Sequence, residues 1–519
     1  MKAVALVKDR LSRWREWELN PVVVKELRQA VRNWSVTGML LVFLVVLFCT
    51  FLGYLINQTF TTQLNQRIGA QVFQALIVIL SGASTLFIPL YVGVRLAIER
   101  QENNVDLLYI STLTPGRIIR GKFYCGAYMA LLFFSACMPF MAFTNLLRGV
   151  DLPTVFFILL VLFLVVCGAI QIAILLACLP ISKPLKVLVG LAGIGAAFGL
   201  LGGVVEFTWE LMRSGVGAMM ASRSFWIVFS TTLGIGIAAF LLLHFLSIAL
   251  IAPVSANRAL LLRVYLIAIW LLGGGLSVLW VRQVRDTRLL LPWAIGMGLL
   301  LIGALFIVVS SHDQLSLRVR RRIPRSAGKR ALAFLFFNGA AGGLVWVTLL
   351  LGLTFGMSWL ALRWIDTSFG YHSMSPADLD ESTSVTAAVL MYLLAYSLTA
   401  LFVQRRFFGR RPPRLAGVLA LIIPGALAVT PNLVLFFLNR LNWSSVERVQ
   451  LGNVFNLFVV RDDALRRDHL IFAAIWLSIA LVLNARWFVK QVRSFEPLAR
   501  PAAPPPVANA TAPRLNPTA

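Results

Sequence analysis

The sequence predicts an all-α fold: a polytopic membrane bundle of about twelve transmembrane helices with both termini cytoplasmic. Three observations carry that prediction. Of 519 residues, 59% are hydrophobic and only 13% charged; the apolar residues gather into long runs; and the basic residues concentrate in alternate connecting segments. A soluble surface cannot be assembled from so few charges. With a mean hydropathy of +0.83, this composition argues against a soluble enzyme of ordinary build, a disulfide-rich secreted protein and a disordered chain. A net charge of +26 suggests nucleic acid in a soluble protein. Here it suggests membrane orientation, and no nucleic-acid partner is expected.

A hydrocarbon core of about 30 Å takes about 20 apolar residues in helix, and lipid offers free backbone groups no partner. Each long apolar run therefore predicts a spanning helix. In order they cover 36–56, 72–95, 123–146, 153–179, 187–205, 225–253, 264–280, 292–309, 331–353, 385–403, 415–438 and 469–489. With the N-terminus inside, the cytoplasmic segments hold 34 of the 47 Lys and Arg and 9 of the 21 Asp and Glu, so the net charge is +25 within and +1 without. That is the bias of a multi-pass protein of a bacterial-type inner (plasma) membrane. Removing one helix would put the basic run 318–330 or 405–414 on the wrong side.

The first apolar run follows a charged stretch of about 35 residues and is itself long enough to span, which argues against a cleavable signal peptide. At the other end, residues 496–519 hold seven prolines among Ala and Asn and predict a disordered tail. The largest outside loops are 354–384 and 439–468.

Motifs for bond-breaking chemistry are scarce. GRIIRGKF (116–123) approaches the phosphate-cradling pattern G-x-x-x-x-G-K-[ST], but Phe123 stands where the magnesium-binding hydroxyl is needed. Cys49, Cys125, Cys137, Cys167 and Cys178 lie in or beside apolar runs with no CxxC pair. His244, His312, His372 and His469 are scattered, so no catalytic residue, metal site or cofactor is expected. His244 lies inside the sixth run, as a functional ionisable group or as a neutral ring bonded between helices. Glu206 and Glu210, one turn apart, mark a pathway mouth or meet interfacial water. Gly195, Gly199 and Gly203 predict a close helix contact, within the chain or with a second copy.

Two cytoplasmic segments say more. In residues 1–35, Val24, Leu27, Val31 and Trp34 recur at helical spacing while Lys25, Arg28, Gln29 and Arg32 occupy the other faces. This predicts an amphipathic interfacial helix with Asn20 as its cap and Pro21 in its first turn, suited to membrane lipid headgroups. The second segment, 95–122, joins the second and third spans. There Glu99, Arg100, Gln101, Glu102, Asn103, Asn104 and Asp106 lead into Leu107, Leu108 and Ile110, before Thr114-Pro115-Gly116 breaks the chain and Lys122 opens the next span. A short surface helix offering carboxylates and leucines to a cytoplasmic partner is expected.

Together these segments resemble the permease subunits of type-2 ABC exporters. The connecting helix of that family often begins with a pattern similar to Asn20-Pro21 followed by Lys25-Glu26-Leu27-Arg28. Its coupling loop commonly carries an acidic pair, a Gly-Thr, a carboxylate with two leucines, a Thr-Pro and a Gly-Lys. Glu99 and Glu102, Asp106-Leu107-Leu108, Thr114-Pro115 and Gly121-Lys122 match in turn, with Asn103-Asn104 where Gly-Thr is usual. The resemblance covers about residues 20–253. It implies that the loop docks on a separate ATPase subunit (a dimer) through Glu99, Glu102, Asp106, Leu107, Leu108, Thr114, Pro115, Gly121 and Lys122, and that the chain pairs with itself or a second permease.

Residues 36–253 then form a six-helix permease-like unit and 254–495 a second six-helix bundle of unassigned role. The latter lacks the acidic-leucine element, which argues against two equivalent permease halves. The chain itself is not expected to be an enzyme. A secondary transporter also fits twelve spans, but carboxylates are nearly absent from the helix centres. A non-transporting scaffold explains the basic loops and leaves the coupling-like loop unexplained.

Overall fold

The computed structural model describes residues 21–60, 68–101, 114–147, 150–181, 183–214, 219–253, 255–369, 374–409, 412–438, 450–460 and 462–498. The sequence-predicted residues Asn20, Glu102, Asp106, Leu107 and Leu108, and the tail from 499, lie outside them. Twelve of the described helices are long and apolar enough to cross a membrane, so the chain is a multi-pass helical membrane protein. Among the described residues there is no strand. The chain divides into two compact units, Met1–Pro253 and Val254–Ala519.

In the first unit, α1 (Pro21–Val31) leads into α2 (Trp34–Phe60). Asn33 makes the break, its Oδ1 accepting from the Ser35 amide at 3.1 Å as a cap does. Next come α3 (Ile68–Gly82), a π-helical turn at Ala83–Phe87 and α4 (Ile88–Gln101), forming one span from Gly69 to Arg100. The widened turn is held from within: the Ser84 hydroxyl donates to Leu80 O and the Thr85 hydroxyl to Ser81 O, each at 2.6 Å. Then follow α5 (Pro115–Leu146), α6 (Leu152–Cys178), α7 (Lys183–Ser214) and α8 (Arg223–Ile251). Their starts are legible as capping chemistry: Thr114-Pro115 opens α5, Asp151 accepts from the Thr154 amide of α6, and Ser222 accepts from the Phe225 amide of α8.

This unit is built around α5 and α6. The first packs against α1, α2, α3, α4 and α8, and the second against α4, α5, α7 and α8. Phe43, Phe73, Leu80, Ile88, Phe133 and Ile170 are among the side chains that close its core. At Gly126 of α5 a Cβ would stand 2.9 Å from Ile170 Cγ2 of α6, so the two axes approach to a distance that only glycine permits.

The second unit comprises α9 (Ala259–Val284), α10 (Leu290–Val309), the short α11 (Leu317–Arg320), α12 (Ala327–Phe336), α13 (Ala340–Phe369), α14 (Pro376–Phe407), α15 (Arg414–Phe437) and α16 (Asp463–Ser494). Here α14 packs against α10, α13, α15 and α16. Two sequence expectations are corrected. The run 331–353 is not one helix: it breaks at Phe337–Gly339, where Gly339 takes φ +133°, so the span starts at Ala340. The loop expected at 354–384 is mostly helix, because α13 continues to Phe369 and α14 already begins at Pro376.

At the break, two helix ends satisfy each other. Asn338 Oδ1 accepts from the Ala259 amide at 3.0 Å and Asn338 Nδ2 donates to Ala256 O at 2.9 Å. In return, Arg263 Nη1 donates to Leu335 O at 2.5 Å and Phe337 O at 2.9 Å, the carbonyls that α12 frees on ending. The Arg263 guanidinium lies 5.7 Å from the Trp346 ring centroid, and Arg263 is 4% exposed.

Candidate functional site

The site grows from α1. Of the apolar residues expected at the acyl boundary, Val31 and Trp34 are exposed and Val24 and Leu27 half-buried, while the structure buries Val22, Val23, Glu26 and Ala30. The reason is that α1 lies on α5, and a face centred on Glu26 meets it. Val31 and Trp34 are left to an outer apolar surface, where an indole suits a membrane interface. Lys25, Arg28, Gln29 and Arg32 are exposed as expected.

Glu26 is buried because a cation waits beneath it. Lys122, in the second turn of α5, places Nζ 2.7 Å from Glu26 Oε1 and 2.7 Å from Glu99 Oε1 in the last turn of α4. The side chains of Lys122, Glu26 and Glu99 are 4%, 6% and 25% exposed. One ammonium thus joins three elements. Two of them, α4 and α5, are the arms on either side of residues 102–113, and the third is the surface helix.

Arg95 lies near both carboxylates and balances the charge. Its guanidinium donates to Tyr91 Oη at 2.7 Å and to Gln29 Oε1 at 2.9 Å, adding a second tie between α4 and α1. Arg100, one residue after Glu99, donates to the Cys178 and Ala177 carbonyls at the end of α6. A buried ion pair is weak evidence for stability, because desolvation offsets most of its attraction. A shared ammonium does, however, fix the register of the three elements it joins.

The sequence sets Glu99, Gly121 and Lys122 among partner-facing residues, and the structure turns these three inward: Gly121 and Lys122 are buried, and Glu99 accepts from Lys122. Thr114 is exposed at the start of α5 and Pro115 half-buried in its first turn. The segment 116–123 that approaches a phosphate loop is helical throughout, so its amides serve the helix and form no cradle. Leu27 is partly buried against the core, and Arg28 is exposed.

The remaining flagged residues fall elsewhere. His244 Nδ1 lies 3.4 Å from Gln171 Oε1, and Gln171 Nε2 donates to Ser247 Oγ at 3.2 Å. An amide oxygen only accepts, so His244 carries its proton on Nδ1 and bridges α8 to α6, the bonded-ring arrangement. Glu206 and Glu210 are exposed on α7. Cβ atoms at Gly195, Gly199 and Gly203 would meet nothing within 4 Å, so this stripe contacts no other described helix.

In the second unit, His469 is fully buried. Its Nδ1 lies 3.0 Å from Tyr392 Oη, and its Nε2 3.2 Å from Asn456 Nδ2. The two ring nitrogens thus bridge Tyr392 of α14 and Asn456. Tyr392 Oη also accepts from the Gly452 amide at 3.2 Å, while Tyr396 Oη donates to Gly452 O at 2.5 Å. The cluster fastens residues 450–460 onto α14 and α16. Replacing His469 by Ala is expected to lower the stability of this unit by about 2–4 kcal/mol, through lost packing and the loss of its bonds to Tyr392 and Asn456. Thermal unfolding checks it, with His469→Gln retaining part of the loss.

The chain matches no protein-family model, no curated protein sequence and no solved structure.

Proposed function

We propose that this chain is the transmembrane permease subunit of an ABC exporter in a bacterial-type inner membrane, with its basic face and both termini cytoplasmic. A separate ATPase dimer supplies the energy, and a second permease or second copy completes the pathway. The observation that carries the reading is the Lys122 node. A partner docked on residues 102–113 pulls on α4 and α5, and the ammonium shared by Glu26, Glu99 and Lys122 moves those arms and the surface helix as one body. The motif resemblance over residues 20–253 and the positive-inside distribution support it.

Under this reading the chain performs no bond-breaking step. ATP-driven closure of the partner is transmitted through the node to α5 and α6, around which the first unit is assembled.

Changing Leu107 and Leu108 together to Asp is expected to abolish co-purification of a subunit bearing a Walker motif and an ABC signature, identified by mass spectrometry. Membrane insertion and the yield of full-length chain should be unchanged. Retention of that ATPase at the wild-type ratio, or its absence from the wild-type preparation, counts against the reading.

A further inference from the structure

An apolar groove of about 210 Å³ runs between α4, α6 and α7. Leu90 and Val94 of α4, Ile172 and Leu176 of α6, and Gly190 and Ala197 of α7 line it. It begins beside the π-helical turn at Thr85 and ends at Lys186, the single charged residue of its lining. Among the described residues no carboxylate lines it, and the Thr85 hydroxyl is already spent on Ser81 O.

Three spans end together at its charged mouth: α4 at Arg100, α6 at Cys178 and α7 at Pro184. Arg100 lies close to Lys186. Only its Nη1 is engaged, with the Ala177 and Cys178 carbonyls, among the described residues. Lys186 has no hydrogen bond or ion pair among them. Two neighbouring cations with no counter-charge among the described residues, where three apolar spans end, supply one half of an ion pair with a bilayer phosphate.

We propose that this groove holds an acyl chain of an anionic phospholipid, whose headgroup phosphate is bound by Lys186 and Arg100. The volume fits. A cavity of about 150 Å³ admits benzene, so this open groove takes a stretch of hydrocarbon chain, whereas a helix of about 10 Å diameter is excluded. Apolar contact alone selects nothing in a bilayer, because the chain leaves one hydrocarbon environment for another. Selectivity therefore comes from the headgroup charge, with the Arg100 fork and the Lys186 ammonium converging on the phosphate. The inference is independent of any ATPase partner.

Native mass spectrometry of the delipidated full-length chain, titrated with phosphatidylglycerol or phosphatidylcholine of the same acyl chains, tests it. The wild type is expected to retain phosphatidylglycerol at least about fivefold better. Lys186→Gln should erase about fivefold of that preference, on the scale of one cation at a membrane surface, and Lys186→Arg should keep it. Gly190→Trp fills the groove from a position where a Cβ meets nothing within 4 Å, and should lower retention of both lipids. Equal retention of the two lipids by the wild type overturns the proposal, as does an unchanged preference in Lys186→Gln. Unchanged retention in Gly190→Trp, or a second copy of the chain lost from the spectrum in its place, also overturns it. Should Lys186→Gln fail to fold, the Gly190→Trp arm still decides.

Discussion

Replacing Lys122 by Met is expected to cost the first unit about 3–5 kcal/mol, the usual loss when one partner of a buried ion pair is removed. For a unit of about 250 residues that corresponds to a fall in Tm of roughly 6–20 °C. The cause is Glu26: its carboxylate, 6% exposed, keeps its charge cost after its nearest counter-charge has gone. Glu99→Gln should cost less, because Glu99 is 25% exposed and water replaces part of what it loses. Lys25→Met, exposed on the same surface helix, should stay within about 0.5 kcal/mol. The combined variant Lys122→Met, Glu26→Gln, Glu99→Gln removes every charge of the triad and should recover most of the Tm. It should not recover coupling, since neutral groups no longer hold α1, α4 and α5 in one register. Under the proposed function, stimulation of an ATPase partner at the wild-type level in that triple variant would sink the mechanical role of the node while leaving its stabilising role intact.

The helices were legible because lipid removes alternatives: a run of about 20 apolar residues has one way to satisfy its backbone. Caps such as Asp151, Ser222 and Ser375 mark where several begin. The break at Phe337–Gly339 also had a signal, Asn338-Gly339, but hydropathy averages over a turn that costs only three residues. The face of α1 was harder. Periodicity identifies an apolar stripe, yet α1 has two environments, a protein neighbour and an outer apolar surface, and only packing decides that Glu26 meets α5 while Trp34 stays outside. Glu26 was singled out in the connecting-helix motif, and Glu99 and Lys122 at opposite ends of the coupling-loop motif. Their convergence across separations of 96 and 23 residues is a tertiary fact, as is the pairing of His469 with Tyr392.

The second large effect is expected at Arg263, a buried cation with no carboxylate against it among the described residues. Arg263→Leu removes the donors to Leu335 O and Phe337 O and leaves two partly buried carbonyls without them, a cost of about 1–3 kcal/mol each. The stacking on Trp346 is lost as well. Arg263→Lys keeps the charge but offers a compact ammonium in place of a fork, so it should recover only part of the loss. Amide exchange over residues 335–340 reads the effect locally, and a Tm unchanged in Arg263→Leu refutes it. A double-mutant cycle makes the test specific. At Gly343 a Cβ would stand 2.5 Å from Arg263 Nη2 and equally 2.5 Å from Val308 Cγ1, so Gly343→Ala is destabilising in the wild type. Removing the guanidinium relieves one clash and not the other. Gly343→Ala should therefore cost measurably less in the Arg263→Leu background without becoming neutral, and strict additivity would place the guanidinium outside the α9–α13 joint.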